Sequence, residues 1–180
     1  PRPFRFNSKR VLLAVLAEDR RINWCKATPS HLDVLLRLLP PDHDLATAVV
    51  GGEAFSAGLA RRLLAHRADL ALFNEYGPTE AVVGCMIHQV DPAQPERHLE
   101  VPIGRPAPGV TLRAVGPSLQ RLPLGAVGEL LIAHDGLTAG YLPDLPPRND
   151  VDGPGGGAEP FVSLDGRRFY RSGDLVRLAA

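Results

Sequence analysis

Apolar runs and amphipathic segments alternate along the first half of the chain. Short apolar runs predict buried strands over residues 22–27, 45–50 and 70–73. Apolar residues spaced three or four apart predict helices that begin at Ser8, Thr28 and Ser56. Thr28 followed by Pro29 is typical of a helix start, with an N-cap and then proline at the first helical position. This alternation predicts parallel strands joined by right-handed crossovers.

The pattern changes after Glu80. Residues 81–90 form a mostly apolar run that predicts a strand, and from Pro102 onward short segments are bounded by Gly and Pro. We therefore predict an α/β fold in which a parallel βαβαβ segment is followed by an antiparallel, barrel-like β region. The expected portions are 1–97 (α/β) and 98–180 (β-rich), with a Pro- and Gly-rich mobile loop at about 143–160.

Composition and charge narrow the function classes. The 180 residues include 20 Lys+Arg and 20 Asp+Glu, so the formal net charge is zero and neither nucleic acid nor a membrane is an expected partner. Cys25 and Cys85 lie far apart without metal-type spacing, and we expect buried, reduced thiols in a cytoplasmic protein. The six histidines form no close pair and are expected on the surface or in loops.

Polar groups follow the predicted strands at the edge where parallel sheets bind ligands. Lys26 lies at the carboxyl end of the first predicted strand, and the turn 51–53 and the pair 74–75 lie at the ends of the other two. We therefore expect three groups to converge at this edge: the Lys26 ammonium, the glycine backbone at 51–52 and the Glu75 carboxylate. The next turn adds an aromatic ring at Tyr76, on which a base can stack, and a carboxylate at Glu80, which suits a hard cation such as Mg²⁺.

Four motifs occur in one order along the chain. They are GGEA at 51–54, NEYGPTE at 74–80, GEL at 128–130 with GLTAGY at 136–141, and YRSGD at 170–174. Their order and spacing, from about Ile22 onward, resemble the adenylation domains of nonribosomal peptide synthetases, within the acyl-adenylate-forming superfamily. The resemblance implies a ligase that joins an amino acid to ATP as aminoacyl-AMP and releases pyrophosphate. It also implies transfer of the acyl group to the phosphopantetheine thiol of a carrier-protein domain.

The resemblance implies a role for each matching residue. The implied nucleotide-binding residues are Gly52, Glu53, Ala54, Asn74, Tyr76, Thr79 and Asp174. Tyr76 is expected to stack on adenine, and Asn74 to lie near the exocyclic amine. Thr79 is expected to contact the α-phosphate and Glu80 to bind Mg²⁺, which makes these two the candidate catalytic residues. Asp174 is expected to accept hydrogen bonds from the ribose hydroxyls, as a carboxylate can.

The substrate side chain is read in the resembled family by a further set of positions. They correspond here to Lys26, Val49, Gly51, Glu75, Val83 and Gly84. Lys26 only donates hydrogen bonds and ionised Glu75 only accepts them, so a side chain that satisfies both is a carboxamide. Asparagine is favoured, before glutamine and then aspartate, whose carboxylate would face that of Glu75. The alternative is a Lys26–Glu75 ion pair that only closes the floor of the pocket.

The resemblance covers the central part of such a domain. Neither the family's phosphate loop, nor the upstream segment that holds the α-amino group, nor the C-terminal subdomain with its bridging lysine is recognisable in the sequence. We therefore expect a central fragment that is inactive by itself. The alternatives are an acyl- or aryl-CoA ligase, expected to lack the charged pair, and a non-catalytic scaffold module. Whether a small accessory protein assists folding stays open.

Overall fold

The structure, a computed structural model, describes residues 22–39, 43–93, 99–141 and 160–179. The helices in these ranges are α1 (Pro29–Leu36) and α2 (Ala57–His66), with a short 3-10 helix at Thr79–Ala81. The strands are β1 (Trp24–Ala27), β2 (Thr47–Gly51), β3 (Ala71–Tyr76), β4 (Met86–Gln89), β5 (Arg105–Pro106), β6 (Thr111–Val115), β7 (Val127–Ala133), β8 (Phe161–Leu164) and β9 (Arg167–Arg177). The described residues divide into two compact units: unit 1 holds those up to Tyr76 and Met86–Arg105, and unit 2 holds Gly77–Cys85 and those from Pro106 onward.

The first sheet has the strand order β1-β2-β3-β4-β5. Strands β1, β2 and β3 are parallel, with α1 and α2 as their connections, whereas β4 runs antiparallel to β3. The second sheet is antiparallel and has the order β6-β7-β9-β8. The predicted fold class, a parallel βαβαβ segment followed by an antiparallel β region, is confirmed. The predicted division at residues 97 and 98 stays a prediction.

Both described helices begin as their sequences indicate. The Thr28 hydroxyl accepts a hydrogen bond from the backbone N–H of His31 at 3.4 Å, with Pro29 at the first helical position. The Ser56 hydroxyl accepts from the N–H of Leu59 at 3.2 Å. The helix predicted to begin at Ser8 and the loop predicted at 143–160 lie outside the described residues, apart from Pro160.

Strand alternation separates a buried face from an open one in the first sheet. The apolar core of unit 1 combines residues of β1–β3 with leucines of the two helices: Cys25, Leu32, Leu35, Ala48, Val50, Leu59, Leu63 and Leu72. Because successive side chains in a strand point to opposite faces, Lys26, Val49 and Glu75 lie on the face away from that core.

Two predicted boundaries need correction. β3 continues through Asn74, Glu75 and Tyr76, which the sequence placed in a loop, because these residues pair with β4. The strand predicted over residues 81–90 is confined to Met86–Gln89. Its first part is instead the end of the 3-10 helix and a turn in which Val82 and Val83 have φ values of 60° and 68°.

No helix in the described ranges is both long enough and apolar enough to cross a bilayer. Cys25 and Cys85 are both buried, as expected, and neither forms a disulfide in the described structure. Burial raises the pKa of the Cys25 thiol to about 11. His43 lies in the loop before β2, as the expectation for histidines allows, but it is only 6% exposed and stacks on His66 with 5.6 Å between ring centroids.

The burial of His43 predicts a pH-dependent stability. Burial of the ring is the largest effect that lowers the pKa of His43 below its ordinary 6.5. The charges of Arg67 and His66 lower this pKa further, whereas Asp44 and Asp69 raise it by smaller amounts. The unfolded chain therefore binds more protons below about pH 6.5, so this contribution to stability is present above that pH and lost as the pH falls.

Urea midpoints measured at pH 7.5 and 5.5 test this expectation. We expect His43→Gln to lose less stability than the parent over this interval, since glutamine does not titrate. His88→Gln, a half-buried histidine of β4, controls for the loss of an imidazole. An unchanged pH dependence in His43→Gln contradicts the assignment.

Candidate functional site

A cation and a carboxylate meet on the open face of the first sheet. The Lys26 ammonium on β1 forms an ion pair with Glu75 Oε2 on β3, across β2. Their side chains are 41% and 21% exposed, so both remain partly accessible to a ligand. The convergence expected from the strand ends is therefore present in the structure, and the two charges form one polar pair.

Gly51 lies close against Glu75, so a side chain at position 51 does not fit there. A Cβ at position 51 would lie 2.8 Å from the backbone oxygen of Glu75 and 3.6 Å from its Oε2. Val49 and Phe73 are neighbours in the sheet register and lie on the same face, both half-buried. Phe73 is absent from the sequence-predicted set, although its place two residues before Glu75 puts it on the same face by strand alternation.

The loop after β2 is fastened to the start of α1. Glu53 accepts hydrogen bonds from the Ser30 hydroxyl at 2.9 Å and from the Ser30 backbone N–H at 3.1 Å. Both bonds lower the pKa of the Glu53 carboxyl below its ordinary range, and the bond from the hydroxyl has the larger effect. Gly52 has a φ of +83°, which favours glycine, and it is exposed together with Ala54. The sequence did not predict the contact of Ser30 with Glu53, because the two residues are 23 positions apart.

Asn74 is buried at the end of β3, with 4% of its surface exposed. Its side-chain amide donates to the carbonyls of Val101 at 3.2 Å and Pro102 at 2.9 Å. Because both hydrogens of the amide are used, only the carbonyl oxygen can serve a base, as an acceptor. An acceptor is what an exocyclic amine requires. Tyr76, two residues further on, ends the strand and is half-buried.

In unit 2, the turn after β3 presents Thr79 and Glu80 from a 3-10 helix. Gly77 is held against the far side of this turn: a Cβ there would lie 2.5 Å from the Val83 oxygen and 2.9 Å from the Cys85 nitrogen. Val83 and Gly84 are exposed, and the N–H of Gly84 donates to the Val82 carbonyl at 2.7 Å. The left-handed conformation of Val83 is unusual for a β-branched residue and fits a functional turn.

The Glu80 carboxylate, the predicted Mg²⁺ ligand, lies in unit 2. The Tyr141 hydroxyl donates to Glu80 Oε1. The described residues hold no group of three or more side chains that could bind a metal ion by themselves. A single carboxylate therefore fits a Mg²⁺ that takes its other ligands from phosphate and water, as this ion commonly does.

Asp174 is presented by an irregularity in the pairing of β7 with β9. Leu131 pairs with Arg171 but Glu129 pairs with Leu175, so β9 has extra residues at this point. Gly173 takes a φ of +74° within the bulge, and the Ser172 hydroxyl donates to the Leu130 carbonyl at 2.9 Å. The backbone N–H of Asp174 donates back to that hydroxyl at 3.1 Å. The bulge turns Asp174 into an exposed position.

Within each unit, the structure brings part of the predicted set together. Unit 1 joins Lys26 to Glu75 with Gly51 beside them. Unit 2 carries Thr79 and Glu80 on one short helix. The ligand-binding roles of all these residues stay predictions. Tyr141 belongs to the GLTAGY motif, but no sequence pattern predicts its contact with Glu80.

Comparisons with known proteins identify the family of the chain. The family described as AMP-binding enzyme matches residues 1–142, well over half of the chain. Tyrocidine synthase 3 of Brevibacillus parabrevis is 35% identical over 97% of this chain, and bacitracin synthase 3 of Bacillus licheniformis is 36% identical over 93%. The chain spans only 3% and 2% of those two proteins.

Solved structures show the same relationship. The nonribosomal peptide synthetase FmoA3 aligns with a TM-score of 0.78 and 30% identity, covering 99% of this chain and 19% of that one. An NRPS protein containing adenylation and PCP domains aligns with a TM-score of 0.74 and 28% identity, covering 95% of this chain and 34% of that one. The predicted likeness to part of an adenylation domain of these synthetases is confirmed. The chain belongs to the AMP-binding enzyme family.

Proposed function

We propose that this chain is the part of an amino acid-activating ligase that selects the amino acid and holds its adenylate. The Lys26–Glu75 pair on the open face of the sheet carries the proposal, because it places a donor and an acceptor side by side. The relative FmoA3 has been solved in an AMPPNP-bound form and in an alpha-methyl-L-serine-AMP-bound form, which supports aminoacyl-AMP chemistry at a common fold.

The ion pair favours asparagine as the substrate. Lys26 has three N–H donors and Glu75 has two oxygens, so each keeps capacity beyond their mutual contact. A carboxamide can accept from Lys26 and donate to Glu75, which closes a ring of charge-assisted hydrogen bonds. An aspartate side chain would set a second carboxylate against Glu75, and an apolar side chain would leave both charges without ligand partners. Gly51 has no side chain that would crowd Glu75 Oε2, which a Cβ at this position would approach to 3.6 Å.

The nucleotide roles follow from the polar and aromatic groups that each unit carries. Asn74 offers an oxygen to the amine of adenine, Tyr76 offers a ring face, and Asp174 offers a carboxylate to the ribose hydroxyls. Thr79 would donate to the α-phosphate, and Glu80 would hold a Mg²⁺ that would supply charge neutralisation for the phosphate oxygens. The amino acid carboxylate displaces pyrophosphate from the α-phosphorus, and the acyl group then passes to the phosphopantetheine thiol of a carrier protein.

Further features of the whole protein remain part of the proposal. Catalysis requires charge stabilisation from more groups than these units supply, so we expect the isolated chain to be inactive and the full-length protein to be active. A cytoplasmic location and an asparagine substrate stay predictions, and so does any need for an accessory protein.

Glu75→Gln tests the selection of asparagine. In the full-length protein, asparagine-dependent ATP–pyrophosphate exchange is expected to fall about tenfold or more, since a charged hydrogen-bond partner is lost. Exchange with aspartate is expected to fall less, because the opposing carboxylate is also removed. The ratio of asparagine to aspartate exchange should therefore decrease.

Glu100→Gln, an exposed carboxylate of unit 1, is the matched control and should leave that ratio unchanged. An unchanged ratio in Glu75→Gln would show that the ion pair only closes the pocket floor. Preference of the parent for leucine would contradict the asparagine assignment but leave adenylation intact.

A further inference from the structure

A short segment of unit 2 is tied to Glu80 at two points. The backbone N–H of Thr138 donates to the Glu80 carbonyl at 3.0 Å, and the Tyr141 hydroxyl donates to Glu80 Oε1. We call residues 138–141 the strap. The two contacts hold both the backbone and the carboxylate of Glu80, although Tyr141 and Glu80 are 61 positions apart in sequence.

The strap is in turn fixed to β9. Arg168 donates to the carbonyl of Thr138 at 2.7 Å and to that of Ala139 at 2.9 Å. Its guanidinium also lies over the Phe161 ring, 3.9 Å from the centroid. Because a planar guanidinium with three simultaneous contacts is held in one orientation, the strap has a rigid base.

A second tyrosine supports the same carboxylate. Tyr170 is 4% exposed, and its ring lies 5.3 Å from that of Phe161, which also neighbours Tyr141 at 6.4 Å. Burial first, and then hydrogen bonding to Glu80, raise the pKa of Tyr141. Burial and the charge of Glu80 raise the pKa of Tyr170, whereas its hydrogen bond with Tyr141 lowers it. The geometry makes the Tyr141 phenol the donor and the Glu80 carboxylate the acceptor of their hydrogen bond.

We propose that Tyr141 is a positioning residue for Glu80, holding one carboxylate oxygen so that the other is presented to the Mg²⁺ of a bound nucleotide. This inference rests on the proposed magnesium role of Glu80. A carboxylate that binds Mg²⁺ through one oxygen is free to rotate unless its second oxygen is held, and a neutral O–H donor holds it without removing the negative charge. The strap thus links the GLTAGY motif to the NEYGPTE motif.

Binding of AMPPNP to the full-length protein, measured by calorimetry with Mg²⁺ and again with EDTA, tests the inference. Tyr141→Phe keeps the ring and removes only the hydroxyl. We expect it to weaken binding of AMPPNP about tenfold with Mg²⁺ and to leave binding in EDTA unchanged. Thr138→Val also removes one hydroxyl from the strap, 3.5 Å from the Gly140 carbonyl, and should leave the ratio of the two affinities unchanged.

A double-mutant cycle separates this role from a structural one. In a Glu80→Gln background, Tyr141→Phe is expected to have little further effect on the magnesium-dependent ratio, since the two residues act as one unit. Equal weakening with and without Mg²⁺, additive effects of the two substitutions, or no change in Tyr141→Phe would each overturn the inference. If the parent itself binds AMPPNP no better with Mg²⁺ than with EDTA, the proposed role of Glu80 fails, and the inference fails with it.

Discussion

Gly77→Ala is expected to destabilise the protein by about 3 kcal/mol and to lower exchange activity about a hundredfold. The added Cβ would lie 2.5 Å from the oxygen and 2.8 Å from the carbonyl carbon of Val83, and these backbone atoms cannot rotate away. The turn also closes through the N–H of Val83, which donates to the Pro78 carbonyl at 3.1 Å. Relief of the clash would therefore displace the 3-10 helix that carries Glu80.

Gly58→Ala is the control for this substitution. A Cβ at position 58, near the start of α2, would meet only the ends of side chains at 4.0 Å. Since alanine favours a helix over glycine, this variant is expected to be unchanged or more stable by about 0.5 kcal/mol. Urea unfolding of both variants measures the difference. A Gly77→Ala protein as stable as Gly58→Ala would show that the turn around Val83 is looser than the structure describes.

Glu129→Gln is expected to lower stability by about 1–2 kcal/mol and to weaken AMP binding about tenfold. Arg171 Nε lies 3.0 Å from Glu129 Oε1, and its Nη2 lies 2.6 Å from Oε2, so the pair is bidentate. Both side chains are mostly buried, with 25% and 17% exposed. The pair closes one end of the bulge that presents Asp174, so its loss should let that carboxylate move.

Asp165→Asn is the matched change at an exposed pair. Asp165 contacts Arg113 at 2.8 Å, but its side chain is 79% exposed, and such pairs contribute little. We expect a change in stability below about 0.5 kcal/mol and no change in AMP affinity. If Glu129→Gln loses stability but binds AMP as the parent does, the bulge does not depend on the ion pair for its geometry.

Local patterns of the sequence predicted the fold of unit 1 well. Thr28 and Ser56 cap helices because each hydroxyl reaches a backbone N–H three residues away, which is information contained in a few neighbouring positions. The parallel order of β1–β3 followed from the same short-range signals. The end of β3 was missed because its last residues are extended by pairing with β4, a partner that begins ten residues after Tyr76.

The contacts that organise the candidate site were harder to predict, because they join residues far apart in sequence. Glu80 and Tyr141 are 61 positions apart, and Glu53 and Ser30 are 23 apart. Lys26 and Glu75 were placed together because parallel strand ends share one edge. No such topological rule brings Tyr141 to Glu80, since their contact depends on how a loop is fixed by Arg168.

Amino acid-dependent ATP–pyrophosphate exchange by the full-length protein tests the central claim most directly. The assay would compare asparagine, glutamine, aspartate and leucine at saturating ATP and Mg²⁺. We expect exchange with asparagine to be the fastest, with aspartate slower by at least about tenfold, since two facing carboxylates cost more than about 1 kcal/mol. A folded full-length protein that exchanges pyrophosphate with no amino acid would contradict the account and favour a non-catalytic scaffold.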